Sequence, residues 1–353
     1  MVVILDHHKR NAIAIKLADM KLLQKLMIEN EELLLSECAD TGVTEMIQAM
    51  LDDDRKNQGI LDTMIIQYGI QKDPEVTVEA IVNKNRQFMH GEELTFFDKV
   101  FQHELLKHQQ VMNGITIHKA AQKVGMDVIA ALNNLNTINF DNRTHQEQLK
   151  GIIEILGVRE LTGQDADQGI WARVQDAIAA ISGAVGSAFT HTQNSEKQDM
   201  SIQDFIRMDH NKINLLFTEL LHSDDPEKIQ SYFAQIYHDL SAHAGAEEEV
   251  VYHRIRSFYG EANTQRLYEE HTRWSLWFEE LRNIDPTSSD FKERIRQMWD
   301  DIGNHFHQEE TSMFNYIQNN MNIQETYQLT QEFKGVKARI QQQMGELKPE
   351  VNV

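Results

Sequence analysis

Residues 240–255 read LSAHAGAEEEVVYHRI, and residues 302–314 read IGNHFHQEETSMF. In each stretch a glutamate follows a histidine at the fourth position, His243 with Glu247 and His305 with Glu309. Apolar residues recur around both pairs at intervals of three and four, which predicts helices whose buried faces carry the pairs. Two helices with polar groups on their buried faces indicate a bundle built around a polar centre.

Two further helices repeat the pattern with a histidine alone. His210 and His271 each lie on an apolar face with three- and four-residue spacing. Turn signals such as Asp224-Asp225-Pro226, Gly260 and 285–289 separate the four helices, so we expect an up-down-up-down bundle. The two faces are Ile206, His210, Ile213, Phe217, Leu220 and Leu267, His271, Trp274, Phe278, Leu281.

Burying these polar groups without partners would be costly, and a metal centre removes that cost. Neutral imidazole and carboxylate suit iron, manganese or zinc. Six ligands are too many for one tetrahedral zinc and fit two metals bridged by carboxylates. Glu310, five residues after His305, is an alternative to Glu309. The candidate ligands are His210, His243, Glu247, His271, His305 and Glu309.

The competing interpretation is a set of ordinary core histidines. A single histidine on an apolar face is more often a hydrogen-bonded core residue than a ligand. Four of them on consecutive helices, two with a glutamate one turn later, favour the metal centre. The neighbouring Glu248, Glu249 and Glu310 are interpreted as solvated charge rather than as partners of the ligands.

Residues 205–318 resemble the hemerythrin-like HHE cation-binding domain. The resemblance rests on DHNKI at His210, HAGAEEEVVY at His243, EEHTRW at His271 and HFHQEETSMF at His305, in the order His, HxxxE, His, HxxxE. It implies a non-haem centre of two iron ions, with manganese or zinc as less favoured metals. By the same resemblance two glutamates bridge the ions and four histidines are terminal ligands.

One position departs from the oxygen-carrying members of that family, which have a second histidine one turn after the ligand of the third helix. Here that position is Ser275, which implies an open metal position beside it. We therefore expect a protein that binds or senses oxygen, iron or a related small oxidant such as peroxide or nitric oxide. The alternative is a diiron oxidase, an oxygenase or a peroxide-consuming enzyme. Trp274, Tyr237 and Tyr252 could carry electrons to such a site, although core packing explains them more simply.

The N-terminal half weakly resembles a ferritin-like helical bundle. Such bundles place Glu-x-x-His on two helices, but here the corresponding positions are Asp54-x-x-Asn57 and Asp141-x-x-Thr144. Both histidines are missing, so we expect a degenerate metal site. Glu104 and His108 could form a metal pair, but a solvated surface pair is favoured. The helices are expected near residues 12–38, 42–69, 76–112, 116–135 and 139–156.

The chain is therefore predicted to be all-α, with a ferritin-like bundle followed by a hemerythrin-like four-helix bundle. The expected units are a helical bundle at 1–160, an amphipathic helix with a polar linker at 161–200, and the metal-binding domain at 201–322. A C-terminal helix and tail follow at 323–353. Small residues between 179 and 186 suggest close helix packing, so a homo-oligomer formed through helical surfaces is an open alternative.

Composition limits the partners. The 353 residues have 34 Lys and Arg against 55 Asp and Glu, a formal net charge of −21. We expect no nucleic-acid partner for so acidic a chain. No apolar run is long enough for a transmembrane helix, so no membrane partner is expected. The one cysteine, Cys38, excludes an internal disulfide, and a cytoplasmic location is the simplest expectation.

Overall fold

A computed structural model describes residues 2–166, 169 and 200–346, and in this part of the chain the regular elements are helical, with no strand. This agrees with the predicted all-α class. The predicted amphipathic helix and linker at 161–200 lie largely outside the described residues. Among the described helices, none is long and apolar enough to cross a membrane.

The N-terminal half is built on four long helices. The helices α1, α2, α4 and α6 pack on one another, α3 lies against α1, and the short α5 lies against the C-terminal half. Their bounds are α1 Val2–Glu37, α2 Thr41–Tyr68, α3 Val76–His90, α4 Phe96–Ala121, α5 Met126–Ala131 and α6 Leu135–Thr162. The ferritin-like resemblance of this half stays a prediction.

The prediction of one helix at 76–112 is wrong, because the structure has two helices there, α3 and α4. The prediction of one helix at 116–135 is also wrong, because that stretch contains the end of α4, the short α5 and the first residue of α6. The chain leaves α3 at Gly91 and restarts at Thr95, whose hydroxyl accepts from the backbone N–H of Asp98 while the Asp98 carboxylate accepts from the N–H of Thr95. This capping box satisfies the free N–H groups of a new helix start. From there α4 continues without a break to Ala121.

The C-terminal half is an up-down bundle of four helical rods with one additional helix packed on it. Two rods contain a π-helical turn, Glu247–Val251 and Glu309–Met313, each of which directly follows an α-helix. Ser201 and Asp225 cap the first two rods through side-chain oxygens that accept backbone N–H groups. The helices are α7 Ile202–His222, α8 Pro226–Ala246, α9 Tyr252–Tyr259, α10 Glu261–Leu281, α11 Ser289–Gln308, α12 Phe314–Asn320 and α13 Ile323–Glu346.

Apolar side chains fill both ends of this bundle and leave a polar layer between them. One cluster includes Phe205, Val251 and Phe333, and the other includes Phe217, Leu240 and Ile302. Each rod contributes to both clusters, so the residues midway along each rod form a buried layer with apolar material above and below. The predicted metal ligands lie in this layer.

The two halves are joined by a buried polar contact. The Nζ atom of Lys212 on α7 donates to the carbonyl oxygens of Gln67 at 2.7 Å and Tyr68 at 2.9 Å. These are two of the carbonyl groups that the end of α2 leaves free. The same Nζ is 2.8 Å from Asp239 of α8. The next residue, Gly69, has a φ of +90°, a conformation that glycine adopts without strain.

Candidate metal centre

The structure brings the six predicted ligands together in the polar layer. One histidine comes from each of α7, α8, α10 and α11, and the two glutamates begin the π-helical turns. All six are buried, with exposures between 0% and 3%. The set is His210, His243, Glu247, His271, His305 and Glu309.

Each glutamate lies between two histidines from different rods. Glu247 Oε2 is 3.2 Å from His243 Nε2 and 3.6 Å from His271 Nε2. In Glu309, Oε2 is 3.3 Å from His210 Nε2 and Oε1 is 3.3 Å from His305 Nε2. Carboxylates in such positions can bridge two ions.

Two overlapping groups of ligand atoms result. His210 and His243 form one group with both glutamates, and His271 and His305 form the other with Glu247. Within each group the ligand atoms lie within 4.8 Å of one another. A glutamate shared between two groups could contact two neighbouring cations.

A second layer of carboxylates holds the outer nitrogen of every histidine in the cluster. The Nδ1 atom of His210 is 2.7 Å from Glu310, that of His243 is 3.1 Å from Asp209, that of His271 is 3.0 Å from Glu248, and that of His305 is 2.6 Å from Glu270. Each rod therefore supplies a carboxylate to the histidine of the next rod, in a closed ring around the bundle.

These outer carboxylates turn the four Nε2 atoms inward. A carboxylate on the outer ring nitrogen fixes both the tautomer and the orientation of a metal-binding histidine. The interpretation of Glu248 and Glu310 as solvated charge is therefore wrong, whereas Glu249 does pair with the exposed Arg339. Asp209 and Glu270 were missed altogether. The signal in the sequence is that each outer carboxylate is a direct neighbour of a predicted ligand.

Four inward-facing atoms make no hydrogen bond of good geometry, although three of them lie 3.2–3.3 Å from another atom of the cluster. They are Nε2 of His210, Nε2 of His243, Oε1 of Glu247 and Oε2 of Glu309. Buried polar atoms are nearly always hydrogen-bonded, so unpaired atoms that converge on one centre fit a set of metal ligands. The residues present thus suit a cation on chemical grounds.

The electrostatics of the cluster favour positive charge on two of its histidines. Burial alone would lower the pKa of His243, but Glu247 and Asp209 outweigh it and raise the pKa to about 10. In the same way, Glu309 and Glu270 outweigh burial and raise the pKa of His305 to about 9. Without a metal, protons on these imidazoles balance the carboxylates. A metal cation would replace those protons.

The positions of two residues bear on details of the predicted site. Glu309, rather than Glu310, faces the centre, since Glu310 contacts the outer nitrogen of His210. Ser275 is exposed, and its hydroxyl is 3.4 Å from the carbonyl oxygen of His271 on its own helix. This side chain faces away from the polar layer, and the expected open metal position stays a prediction.

Tyr252 is a residue of the centre whose place there was missed. Its hydroxyl contacts both glutamates as well as His271 and His305. Burial, together with the charges of Glu247 and Glu309, raises the pKa of Tyr252 well above its ordinary value. Without a cation the phenol therefore keeps its proton, and its O–H group donates a hydrogen bond to a glutamate carboxylate. By contrast, Tyr237 is 37% exposed.

The N-terminal bundle has a buried polar cluster of a different kind. Lys107 Nζ contacts Asp54 and is 3.0 Å from Glu31 and 3.1 Å from His145. An ammonium group thus lies among the carboxylates. Among the described residues of this half, no group of side chains meets the spacing that a metal requires.

Glu104 and His108, the other possible metal pair of the N-terminal half, have a common partner, and the favoured interpretation as a solvated pair stays a prediction. Glu104 and His108 both contact Gln146, at 3.0 Å and 3.1 Å. His108 is exposed, as expected for a solvated pair. The degenerate site expected at Asp54 and Asp141 stays a prediction.

Comparisons with known proteins add two findings. A family model for the hemerythrin HHE cation binding domain matches residues 201–317. A protein of Nostoc sp. (strain PCC 7120 / SAG 25.82 / UTEX 2576), named DNA nickase, is 61% identical over 345 residues, which cover 98% of each chain. No solved structure matches this chain.

The name of the Nostoc relative corrects one prediction. It gives DNA as the molecule on which that relative acts, so the exclusion of a nucleic-acid partner, which we drew from the net charge, is wrong. The physical reason is that net charge sums the whole chain, whereas contacts with phosphates depend on the local surface. An acidic protein can carry a region that is poor in acidic residues.

Proposed function

The chain belongs, through residues 201–317, to the hemerythrin HHE cation-binding domain family, and on this premise we propose that its C-terminal bundle binds two iron ions. His210 and His243 would hold one ion, His271 and His305 the other, and Glu247 with Glu309 would bridge them. The observation that carries this proposal is that both glutamates contact histidines of two groups at 3.2–3.6 Å.

The burial of the centre limits what can react there. A bound iron pair would supply reversible binding or reduction of oxygen or peroxide. The ring of Phe306 stacks on His210 with centroids 3.7 Å apart, and Trp274 lies 4.6 Å from the rings of both His271 and His305. These aromatic side chains exclude bulk water and leave no room for a nucleic-acid strand, so the proposed ligand is a small oxidant.

Iron content tests the metal assignment. We expect two iron ions per wild-type chain after anaerobic loading, and a sharp loss in His243→Ala and Glu247→Ala. His307→Ala is the matched control because His307 is exposed on the same rod as His305. Equal losses in all three variants would contradict the proposed ligand set.

A change of the optical spectrum with oxygen then tests the ligand. Reversible change without turnover favours an oxygen-binding or sensing protein. Consumption of peroxide, or of oxygen with a reductant, favours the diiron oxidase or peroxide-consuming alternative. An iron-loaded chain that responds to none of these would contradict a reaction with a small oxidant.

We propose DNA nicking as a second function, because a relative 61% identical over 98% of the chain is named DNA nickase. A nick breaks one phosphodiester bond of a duplex, and its hydrolysis consumes one water molecule. The buried metal centre cannot contact that bond directly. DNA would therefore bind to a different surface, and that surface has to be found on the exterior of this acidic chain.

An acid-poor region supports such a surface. From Leu105 to Phe140 the chain has one acidic residue, Asp127, in a protein with 55 Asp and Glu among 353 residues. Asp127 is buried in an ion pair with Arg10, so it adds little negative charge to the exterior. The second half of α4 lies at the centre of this region, and one of its faces is exposed to solvent.

Two grooves flank that half of α4, and basic side chains line both. Lys119 and Arg143 line a groove of about 270 Å³, and Lys9, Lys16 and Lys123 line another of about 320 Å³. Phosphate contacts by lysine and arginine supply most of the affinity of non-specific DNA binding. We therefore assign this face of the N-terminal bundle as the proposed DNA-binding surface.

Conversion of supercoiled plasmid to open circles tests the second function. We expect the wild-type chain to nick the plasmid, and the double variant Lys119→Glu, Lys123→Glu to bind and nick it at least ten-fold less at low salt. The charge-matched control is Lys84→Glu, Lys150→Glu, which alters exposed lysines elsewhere on the same bundle. A wild-type chain free of nicking activity would overturn the function, and equal losses in both variants would overturn the surface.

A further inference from the structure

The phenol oxygen of Tyr252 lies within the ligand cluster. Its Oη atom is 2.7 Å from Glu309 Oε1, 3.1 Å from His271 Nε2, and 3.3 Å from both His305 Nε2 and Glu247 Oε2. Four of its neighbours are thus atoms already assigned to the metal centre. Tyr252 itself is fully buried.

These separations, which are hydrogen-bond distances in the metal-free chain, also suit ligand atoms that share one metal ion. Two ligand atoms, each about 2.1 Å from a metal and at right angles, are about 3.0 Å apart. The His–Glu contacts of the cluster, at 3.2–3.6 Å, approach the same value. The phenol oxygen is therefore spaced from the four atoms much as Glu247 Oε2 is from His271 Nε2 (3.6 Å) and Glu309 Oε1 is from His305 Nε2 (3.3 Å).

The π-helical turn explains how Tyr252 reaches this place. The backbone N–H of Tyr252 donates to the carbonyl oxygen of Glu247, five residues earlier. In a regular α-helix, residues five apart point in clearly different directions, but the wider turn aligns them. π-helical turns of this kind occur frequently at functional sites.

The equivalent turn in the other rod gives no oxygen. There the backbone N–H of Phe314 donates to the carbonyl oxygen of Glu309, so Phe314 occupies the position that corresponds to Tyr252. The two stretches read HxxxExxxxY and HxxxExxxxF. The centre is consequently asymmetric, and the added oxygen lies on the side of His271 and His305.

We propose that Tyr252 is a protein ligand of the ion held by His271 and His305, to which it binds as a phenolate. This inference rests on the proposed metal centre. The phenol proton leaves the site when the metal enters, as the proton of any protonated ligand must. The group of Glu247, His271 and His305 then gains a fourth ligand atom, and the ion held by His210 and His243 has no tyrosine.

The visible spectrum of the full chain loaded with iron(III) tests this inference. A phenolate bound to iron(III) gives a charge-transfer band in the visible region and resonance-enhanced phenolate vibrations. We expect both signals in the wild type and their loss in Tyr252→Phe, with iron content retained at two per chain. Tyr268→Phe is the matched control, because the ring of Tyr268 packs against Tyr252 while its hydroxyl donates to the backbone of Glu248.

The outcomes separate the two proposals. Two irons with no phenolate signals in the wild type, or signals that persist in Tyr252→Phe, would overturn the role of Tyr252 and leave the metal centre intact. A chain that binds no iron would overturn both. If the signals were lost in Tyr268→Phe but kept in Tyr252→Phe, the iron ligand would be Tyr268, and the inference would also be overturned.

Discussion

At the scale of single residues, the outer carboxylates distinguish this cluster from ordinary buried histidines. A core histidine needs one or two hydrogen-bond partners, but here each histidine is held on its outer nitrogen and points its inner nitrogen at the same centre. Asp209 is itself held by Lys337 of α13. The orientation of the ligands is therefore supported from outside the four-rod bundle as well.

Removing one outer carboxylate should weaken metal binding without removing a ligand. We expect Glu270→Ala to lower metal affinity by about 10- to 100-fold, because His305 loses the group that fixes its orientation. Glu269→Ala is the control, since Glu269 is exposed and contacts Gln265. Competition with a chelator of known affinity measures both. Equal affinities in the two variants would contradict the orienting role of Glu270.

Metal binding should also release protons. With a pKa of about 10 for His243 and about 9 for His305, both imidazoles are protonated at pH 7 in the metal-free chain. A histidine must be neutral to bind a metal, so metal entry displaces these protons. Affinity should therefore rise with pH between 6 and 9, by about ten-fold per pH unit for each proton that leaves. Calorimetry in buffers of different ionisation enthalpy measures the release. Binding that is independent of pH would contradict the raised pKa values.

Helical periodicity in the sequence was enough to predict all six inward-facing residues, because each lies on an apolar face. It was not enough for the outer carboxylates. A residue next to a ligand is rotated by about 100° around the helix, which on an isolated helix suggests solvent exposure. In a four-rod bundle the same rotation points the side chain toward the adjacent rod, as Glu248 and Glu270 show.

At the scale of elements, the π-helical turns mark the limit of the same reasoning. The spacing of three and four predicts Glu247 and Val251 on one face, and both are buried. It does not predict that Tyr252 shares the centre with Glu247, since that alignment needs a turn of five residues. The break between α3 and α4 was missed for another reason: Thr95 and Asp98 form a capping box within a region with few turn residues.

The buried ammonium of α4 should be important for stability. Burial alone would lower the pKa of Lys107, but Asp54 and Glu31 outweigh it and raise the pKa, so the side chain stays charged. We expect Lys107→Met to destabilise the chain by about 3–5 kcal/mol, because it leaves buried carboxylates without their cation. Lys150→Met, at an exposed pair with Glu147, should cost about 0–1 kcal/mol. Urea unfolding compares them, and similar losses would contradict this account.

At the scale of the whole molecule, the two halves are joined where α2 ends against α7 and α8. Lys212 satisfies backbone carbonyls of the N-terminal half while it pairs with a carboxylate of the C-terminal half. Near it, Gln341 of α13 donates to the carbonyl oxygen of Ile66. The halves therefore share polar contacts that neither could satisfy alone.

Gly69 should be the most sensitive glycine at this junction. A Cβ atom there would lie 2.5 Å from Asp239 Oδ1 and 3.1 Å from Lys212 Nζ, and its φ is +90°. Gly163 also ends a helix at positive φ, but a Cβ there has nothing within 4 Å. We expect Gly163→Ala to cost about 1–2 kcal/mol of backbone strain and Gly69→Ala about 1–3 kcal/mol more from overpacking. Equal shifts in urea unfolding would contradict the tight junction.

Whole-chain properties were the least reliable guide. A net charge of −21 correctly describes the chain as acidic but hides the region from Leu105 to Phe140, where the one acidic side chain is buried. The position of that region around α4 follows only from the fold. The burial of the proposed metal centre separates it from the proposed DNA-binding surface. This burial likewise could not be predicted when each helix was considered alone.

The most direct test of the two-metal centre is a crystal structure of the iron-loaded chain with anomalous scattering measured at the iron edge. The account predicts two anomalous peaks in the C-terminal bundle, one beside His210 and His243 and the other beside His271 and His305. Glu247 should contact both. A single peak, or peaks elsewhere in the chain with none between these four histidines, would contradict it.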